Sequence, residues 1–138
     1  MTNQPFFTRD RDAFMPTAVA NGPWDPNSMH GRVVVGLLAF AIEERHGSDD
    51  FVPARLTVDM FRLPNIMTKV EVTTKLIRDG MRIKVVEAEF SSGGTSMARA
   101  SCQLLRRTEM RPVMSGRRRT GMRRCPKQSP RRPTPGSA

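Results

Sequence analysis

The 138-residue chain contains no tyrosine, one tryptophan, two cysteines and two histidines. Cys102 and Cys125 lie far apart with no CxxC spacing, which excludes a zinc framework and a disulfide scaffold. A reducing compartment, the cytoplasm, is the expected setting. No apolar run reaches the roughly 18 residues of a membrane span. Residues 1–12 are polar and lack the apolar stretch of a signal peptide. No metal and no other cofactor is expected, and no membrane partner. Acid is also missing in one place. Residues 111–138 hold nine Lys/Arg and no Asp/Glu, whereas residues 1–110 hold 14 Lys/Arg against 13 Asp/Glu. The net charge of +10 is therefore a property of the C-terminal segment. The length suits one domain, with the basic segment diluting an otherwise ordinary core.

The periodicity organises the rest. Residues 1–12 read as a loose lead-in, and a short strand is expected within Phe14–Trp24. Pro23 to Ser28 is rich in turn formers, with Asn27 or Ser28 placed to cap a helix. The helix runs from Gly31 to about Arg45. Val34, Leu37, Leu38, Ala41 and Ile42 recur at helical spacing, and Val33, Val35, Ala39 and Phe40 make the other faces apolar too. Such a helix is expected to be surrounded, and at about 1.5 Å per residue it is too short to cross a bilayer. Gly47 suits a left-handed C-terminal cap.

Four extended segments follow, at Ala54–Leu63, Lys69–Arg78, Arg82–Ser91 and Thr95–Arg106. In the third, Ile83 and Val85 share one parity and Val86, Ala88 and Phe90 the other, so a bulge is expected near Val85–Val86. Asp79-Gly80 is a tight hairpin signal and Ser91-Ser92-Gly93-Gly94 a looser one. One antiparallel sheet curling around one apolar helix satisfies this order, an α+β arrangement. From 109 onward the periodicity is gone. Five prolines, three glycines and nine bases in residues 111–138 predict disorder. This tail admits two readings. It could bind nucleic acid nonspecifically, or it is an out-of-frame reading of a GC-rich gene, which its abrupt composition favours.

The motifs narrow the pattern. Gly22-Pro23-Trp24, His30-Gly31, Phe61-Arg62-Leu63-Pro64, Arg78-Asp79-Gly80 and Met97-Ala98-Arg99-Ala100 fall in one order. Over roughly residues 12–108 the chain resembles the N-terminal hotdog of the acyl-CoA thioesterase II-like family, the double-hotdog thioesterases. The resemblance implies a hotdog fold over 13–108, acyl-CoA as ligand, thioester hydrolysis, and a site between two hotdogs. The family usually carries two hotdogs in one chain, with its Asp, Thr or Ser, and Gln trio in the second. By position, Leu56 stands where that Asp would be, the Arg78-Asp79 turn lies near the hydroxyl position, and Cys102 stands at the glutamine. The chain thus resembles the partner half.

Thioester hydrolysis needs a donor for the developing oxyanion and an activated water. The Gly31 N–H, opening the helix, is the candidate oxyanion donor, or Gly31 merely permits close packing. His30 is the candidate orienting group for water or the thioester oxygen, or a local hydrogen-bonding residue. Asp59 is the candidate base if its strand face lines a groove, or else a solvated residue or an ion-pair partner of Arg62. Trp24 and Arg62 are the candidate substrate-binding residues, although Trp24 reads more readily as a buried structural plug. Cys102 reads as a small core residue. Two functions remain open: a truncated thioesterase acting as a homodimer or higher oligomer, and a noncatalytic acyl-CoA-binding or scaffold domain. In either, one apolar sheet face is expected to seek another subunit.

Overall fold

A computed structural model describes residues 3–109. Phe7–Asp10 (β1) and Ala13–Pro16 (β2) form a hairpin, followed by a single 3-10 turn at Ala18–Ala20. Gly31–His46 is α1. Phe51–Met60 (β3), Val70–Asp79 (β4), Ile83–Ser92 (β5) and Thr95–Arg106 (β6) complete the fold. The six strands form one antiparallel sheet in the order β1-β2-β4-β5-β6-β3. The sheet curves around α1, which is the expected hotdog architecture. All these elements lie in the unit Met1–Thr108. The tail beyond Glu109, with both readings of it, lies outside the described residues.

Alternation places the core. Val70 and Val72, Val86, Ala88 and Phe90, and Ala98, Ala100, Cys102 and Leu104 are buried on the concave face. They meet Val33, Val34, Leu37, Leu38, Ala41 and Ile42 of the helix. This burial drives the wrap, since each fully buried Val, Leu or Phe contributes about 1.5–3 kcal/mol over an exposed one.

Several expectations need correction. Phe7–Asp10 is a strand, not part of a loose lead-in. Phe7 stacks edge-on against Phe14 with centroids 6.3 Å apart, and Arg9 forms a forked ion pair with Glu44 of the helix, at 2.6 and 3.1 Å. These contacts pin the hairpin to α1. The bulge falls on β4 at Ile77, opposite the Val85–Val86 step, because Leu76 pairs with Val86 and Arg78 with Val85. The tight hairpin is the glycine pair: Gly93 and Gly94 have φ of 57° and 79°, as a two-residue turn of matching twist requires. The Asp79-Gly80 connection is the longer one. Gly47 is extended rather than left-handed (φ −69°), and glycine is needed for a different reason. A side-chain carbon there would sit 2.4 Å from the Glu43 carbonyl oxygen.

Two corrections bear on function. The helix is not enclosed on every side. Arg32, Gly36 and Phe40 form an uncovered stripe at i, i+4 and i+8, and Phe40 is 48% exposed. One sheet covers only one side of a helix. The convex sheet face is also not broadly apolar. Its middle carries Thr57, Asp59, Thr73, Lys75, Glu87, Glu89, Arg99 and Ser101.

Candidate functional site

The N-terminus of α1 is assembled by the segments around it. The His30 N–H donates to the Ala20 carbonyl (2.8 Å) and the Gly22 N–H to that of Ser28 (2.8 Å), folding residues 20–30 back on themselves. The Met29 N–H donates to the Pro64 carbonyl (2.9 Å) and the Ile66 N–H to that of Asn27 (2.8 Å), fastening this loop to the stretch after β3. The capping residue is His30, not Asn27 or Ser28: its Nδ1 accepts from the Arg32 N–H at 3.1 Å. Asn27 and Ser28 instead close a turn on Asp25.

This cap assigns the first-turn donors. The Arg32 N–H is taken by His30 Nδ1, and the Val33 and Val34 N–H groups by the His30 carbonyl, at 2.9 and 3.4 Å. The Gly31 N–H has no acceptor among the described residues. It is a free donor at the positive end of the helix dipole, suited to an oxygen carrying negative charge. Neutral His30, accepting at Nδ1, carries its proton on Nε2, so it offers a second donor and no base. The Met60 side chain lies against Gly31; a carbon added to Gly31 would sit 3.0 Å from Met60 Cε.

The other candidates are placed differently. Asp59 precedes Met60 on β3, so it points to the opposite, convex face. There it stands across from Arg99, which in turn faces Glu89 on β5 at 3.6 Å. The chain therefore brings His30 and Gly31 together and leaves Asp59 on the other side of the sheet. Trp24 is not a buried plug; it is 87% exposed at the tip of the 20–30 loop. Arg62 is exposed just beyond β3, its N–H donating to the Met97 carbonyl at 3.2 Å. Leu56 and Cys102 are cross-strand neighbours on the core side, and burial pushes the Cys102 thiol above its ordinary range. Neither can act on a substrate.

One feature of the site was missed from sequence. An apolar groove of about 590 Å³ runs along the uncovered stripe of α1, from Arg32 past Gly36 to Phe40. Its far wall is Phe6, Phe7 and Phe14. The volume falls in the range of small-ligand sites. The signal was available in Pro5-Phe6-Phe7 and in the 32, 36, 40 spacing, but the wall needs β1, which the polar residues around it concealed.

Comparison with known proteins decides the lineage. The family model for the acyl-CoA thioesterase N-terminal domain matches residues 20–106. The chain belongs to this acyl-CoA thioesterase family. The match covers the helix, its N-terminal loop and β3 to β6 of this thioesterase-like hotdog domain. Solved structures share the fold. A Bacillus halodurans protein crystallised with CoA superposes with TM-score 0.60 at 18% identity, over 69% of this chain and 65% of that one. A predicted thioesterase from Bacillus stearothermophilus gives 0.61 at 16%, over 75% and 80%. A hypothetical thioesterase from Streptococcus pneumoniae, solved with coenzyme A, gives 0.61 at 10%, over 76% and 87%. No curated protein matches this thioesterase-family chain.

Proposed function

We propose that this hotdog domain binds fatty acyl-CoA, with the acyl chain along α1 and the thioester carbonyl at the Gly31 N–H, and that it hydrolyses the thioester when paired with a second hotdog. The observation that carries this reading is an apolar groove along the same helix that opens with the free donor. The apolar groove starts in the first turn of the helix, one residue from the free Gly31 donor. From Arg32 to Phe40 it follows about 12 Å of helix. Members of similar fold hold CoA or coenzyme A, which supports the same ligand class here.

The chemistry divides between the two hotdogs. Water attacks the carbonyl carbon and negative charge gathers on its oxygen. The Gly31 N–H stabilises that charge, with His30 Nε2–H available as a second donor. The C–S bond then breaks and the thiolate takes up the proton lost by water. The base that removes this proton comes from the second unit, because Asp59 faces away. The outer edge of β3, which among the described residues pairs only with β6, is where such a unit adds, from a second copy in a homodimer or from the other half of a double hotdog. The II-like assignment and a truncated, weakened activity rest on the five motifs and on Leu56 and Cys102. Purified protein is assayed for thiol release on acyl-CoA of graded length, with binding followed by calorimetry. Chain-length-dependent binding is expected. Absence of binding at every length refutes the reading.

A second reading, noncatalytic binding, is favoured by one observation: no base faces the Gly31 side among the residues the sequence offered. Binding without thiol release selects it.

A further inference from the structure

The convex face changes character along its length. Beyond its polar middle, Val52, Leu105 and Ile83 stand opposite one another across β3, β6 and β5 and point outward. Ile83 follows directly on the β4–β5 connection, whose Met81 is 82% exposed, and the bulged Ile77 is exposed on the strand before it. This is a contiguous apolar end on a face that is otherwise polar, the kind of patch that marks an interaction surface.

Its apolar tip is flanked by arginines. Arg78 and Arg82 flank Met81, and neither takes part in an ion pair among the described residues. Of the acids near this end, Asp79 pairs with Lys84 at 3.4 Å and Asp50 with Arg106 at 3.9 Å, while Asp49 and Glu109 form no ion pair among the described residues. β6 ends here in Arg106, followed by Arg107, Thr108 and Glu109, and residues 111–138 carry nine Lys/Arg and no acid. Whatever the origin of that segment, its charge has the same sign as the patch.

We propose that this end of the sheet docks on an anionic lipid bilayer. Met81 and Ile83 enter the headgroup boundary, and Arg78 and Arg82 meet the lipid phosphates. Apolar side chains flanked by Arg78 and Arg82 fit an anionic interface, which takes both kinds of group at once. A second copy of this chain would set arginine against arginine. A nucleic acid would take the charge but leave the apolar side chains exposed, and the patch offers no aromatic ring for stacking. The inference is independent of the acyl groove, which lies on the concave side.

The test is flotation of the full chain with phosphatidylcholine vesicles, with and without about 30% phosphatidylserine, at about 150 mM salt. Binding to the anionic vesicles alone is expected. Met81→Asp, at an exposed turn, lowers it by about tenfold or more, and Met81→Leu retains it. Circular dichroism confirms that both variants are folded. Three results overturn the proposal: no binding to anionic vesicles, binding unchanged by Met81→Asp (tail charge alone then carries it), or duplex DNA binding that Met81→Asp weakens equally.

Discussion

Gly36 offers a direct separation of stability from ligand binding. It sits mid-stripe on the uncovered side of α1, and a side chain added there meets no atom within 4 Å. Glycine inside a helix is less favourable than alanine by about 0.8–1.0 kcal/mol. Gly36→Ala is therefore expected to raise Tm by about 3–8 °C in a domain of this size. Gly36→Leu gains nearly the same helix preference but also projects four carbons into the groove. An acyl chain denied room for about three methylenes loses about 2.4 kcal/mol at about 0.8 kcal/mol each. That is roughly fiftyfold in affinity. Calorimetric titration with long- and short-chain acyl-CoA should show this loss for the long chain and little change for the short one, while scanning calorimetry shows the raised Tm. A Gly36→Leu protein that is stabilised and binds long chains like the parent would refute the placement of the acyl chain along α1.

Four further outcomes follow from the same coordinates. His46, hydrogen-bonded to Thr74 at 2.9 Å, is held below its ordinary 6.5 by burial first and then by the charges of Arg45 and Lys84. The unfolded chain therefore binds this proton more readily, so the contribution to stability is full above about 6.5 and is lost as pH falls through the folded value. Urea titrations between about pH 5 and 7.5 should show this slope, and His46→Gln should flatten it. Cys102, buried and with a raised thiol, should resist alkylation in a Cys125→Ser background until denaturant is added, and Cys102→Ala should leave thiol release unchanged. Phe90, wholly buried under the helix, should cost about 3–5 kcal/mol on Phe90→Ala, read from urea midpoints. Asp59→Asn should leave turnover within about twofold, since Asp59 faces the convex surface; a loss of a hundredfold or more would place the base there after all.

Much of the architecture was legible because it rests on period alone. Val34, Leu37, Leu38, Ala41 and Ile42 recur at helical spacing, and Ala98, Ala100, Cys102 and Leu104 alternate, so α1 and β6 follow from hydrophobic patterning. What escaped depends on partners distant in sequence. β1 is polar along most of its length and becomes a strand only because Arg9 finds Glu44 across the fold and Phe7 packs on Phe14 of the neighbouring strand. The apparent all-round burial of α1 came from counting apolar residues without asking how much of a helix one sheet can cover. Phe40 is apolar and exposed for that reason. Trp24 was read as a plug from its composition, but the loop that carries it turns outward on Asp25. The site was half legible. His30 and Gly31 are adjacent in sequence and stay adjacent in space, whereas Asp59 was separated from them by a strand parity that the sequence had already displayed.

That parity bears on how the family's chemistry is partitioned. Met60 and Asp59 are consecutive, so when Met60 packs on Gly31 the carboxylate must leave the helix side. No rotation of Asp59 alone reverses this, because one residue along a strand is a change of face. On the proposed assignment, a chain with Leu56 and Cys102 in the core and the Gly31 N–H without an acceptor among the described residues binds the carbonyl, and the second hotdog activates water. Among the described residues the outer edge of β3 is unpaired and its Met60 end lies beside Gly31, so a strand added there would bring its own side chains toward the proposed donor. Binding and hydrolysis are then separable by assembly. The isolated domain should hold acyl-CoA in the groove, and turnover should appear only with a partner strand on that edge.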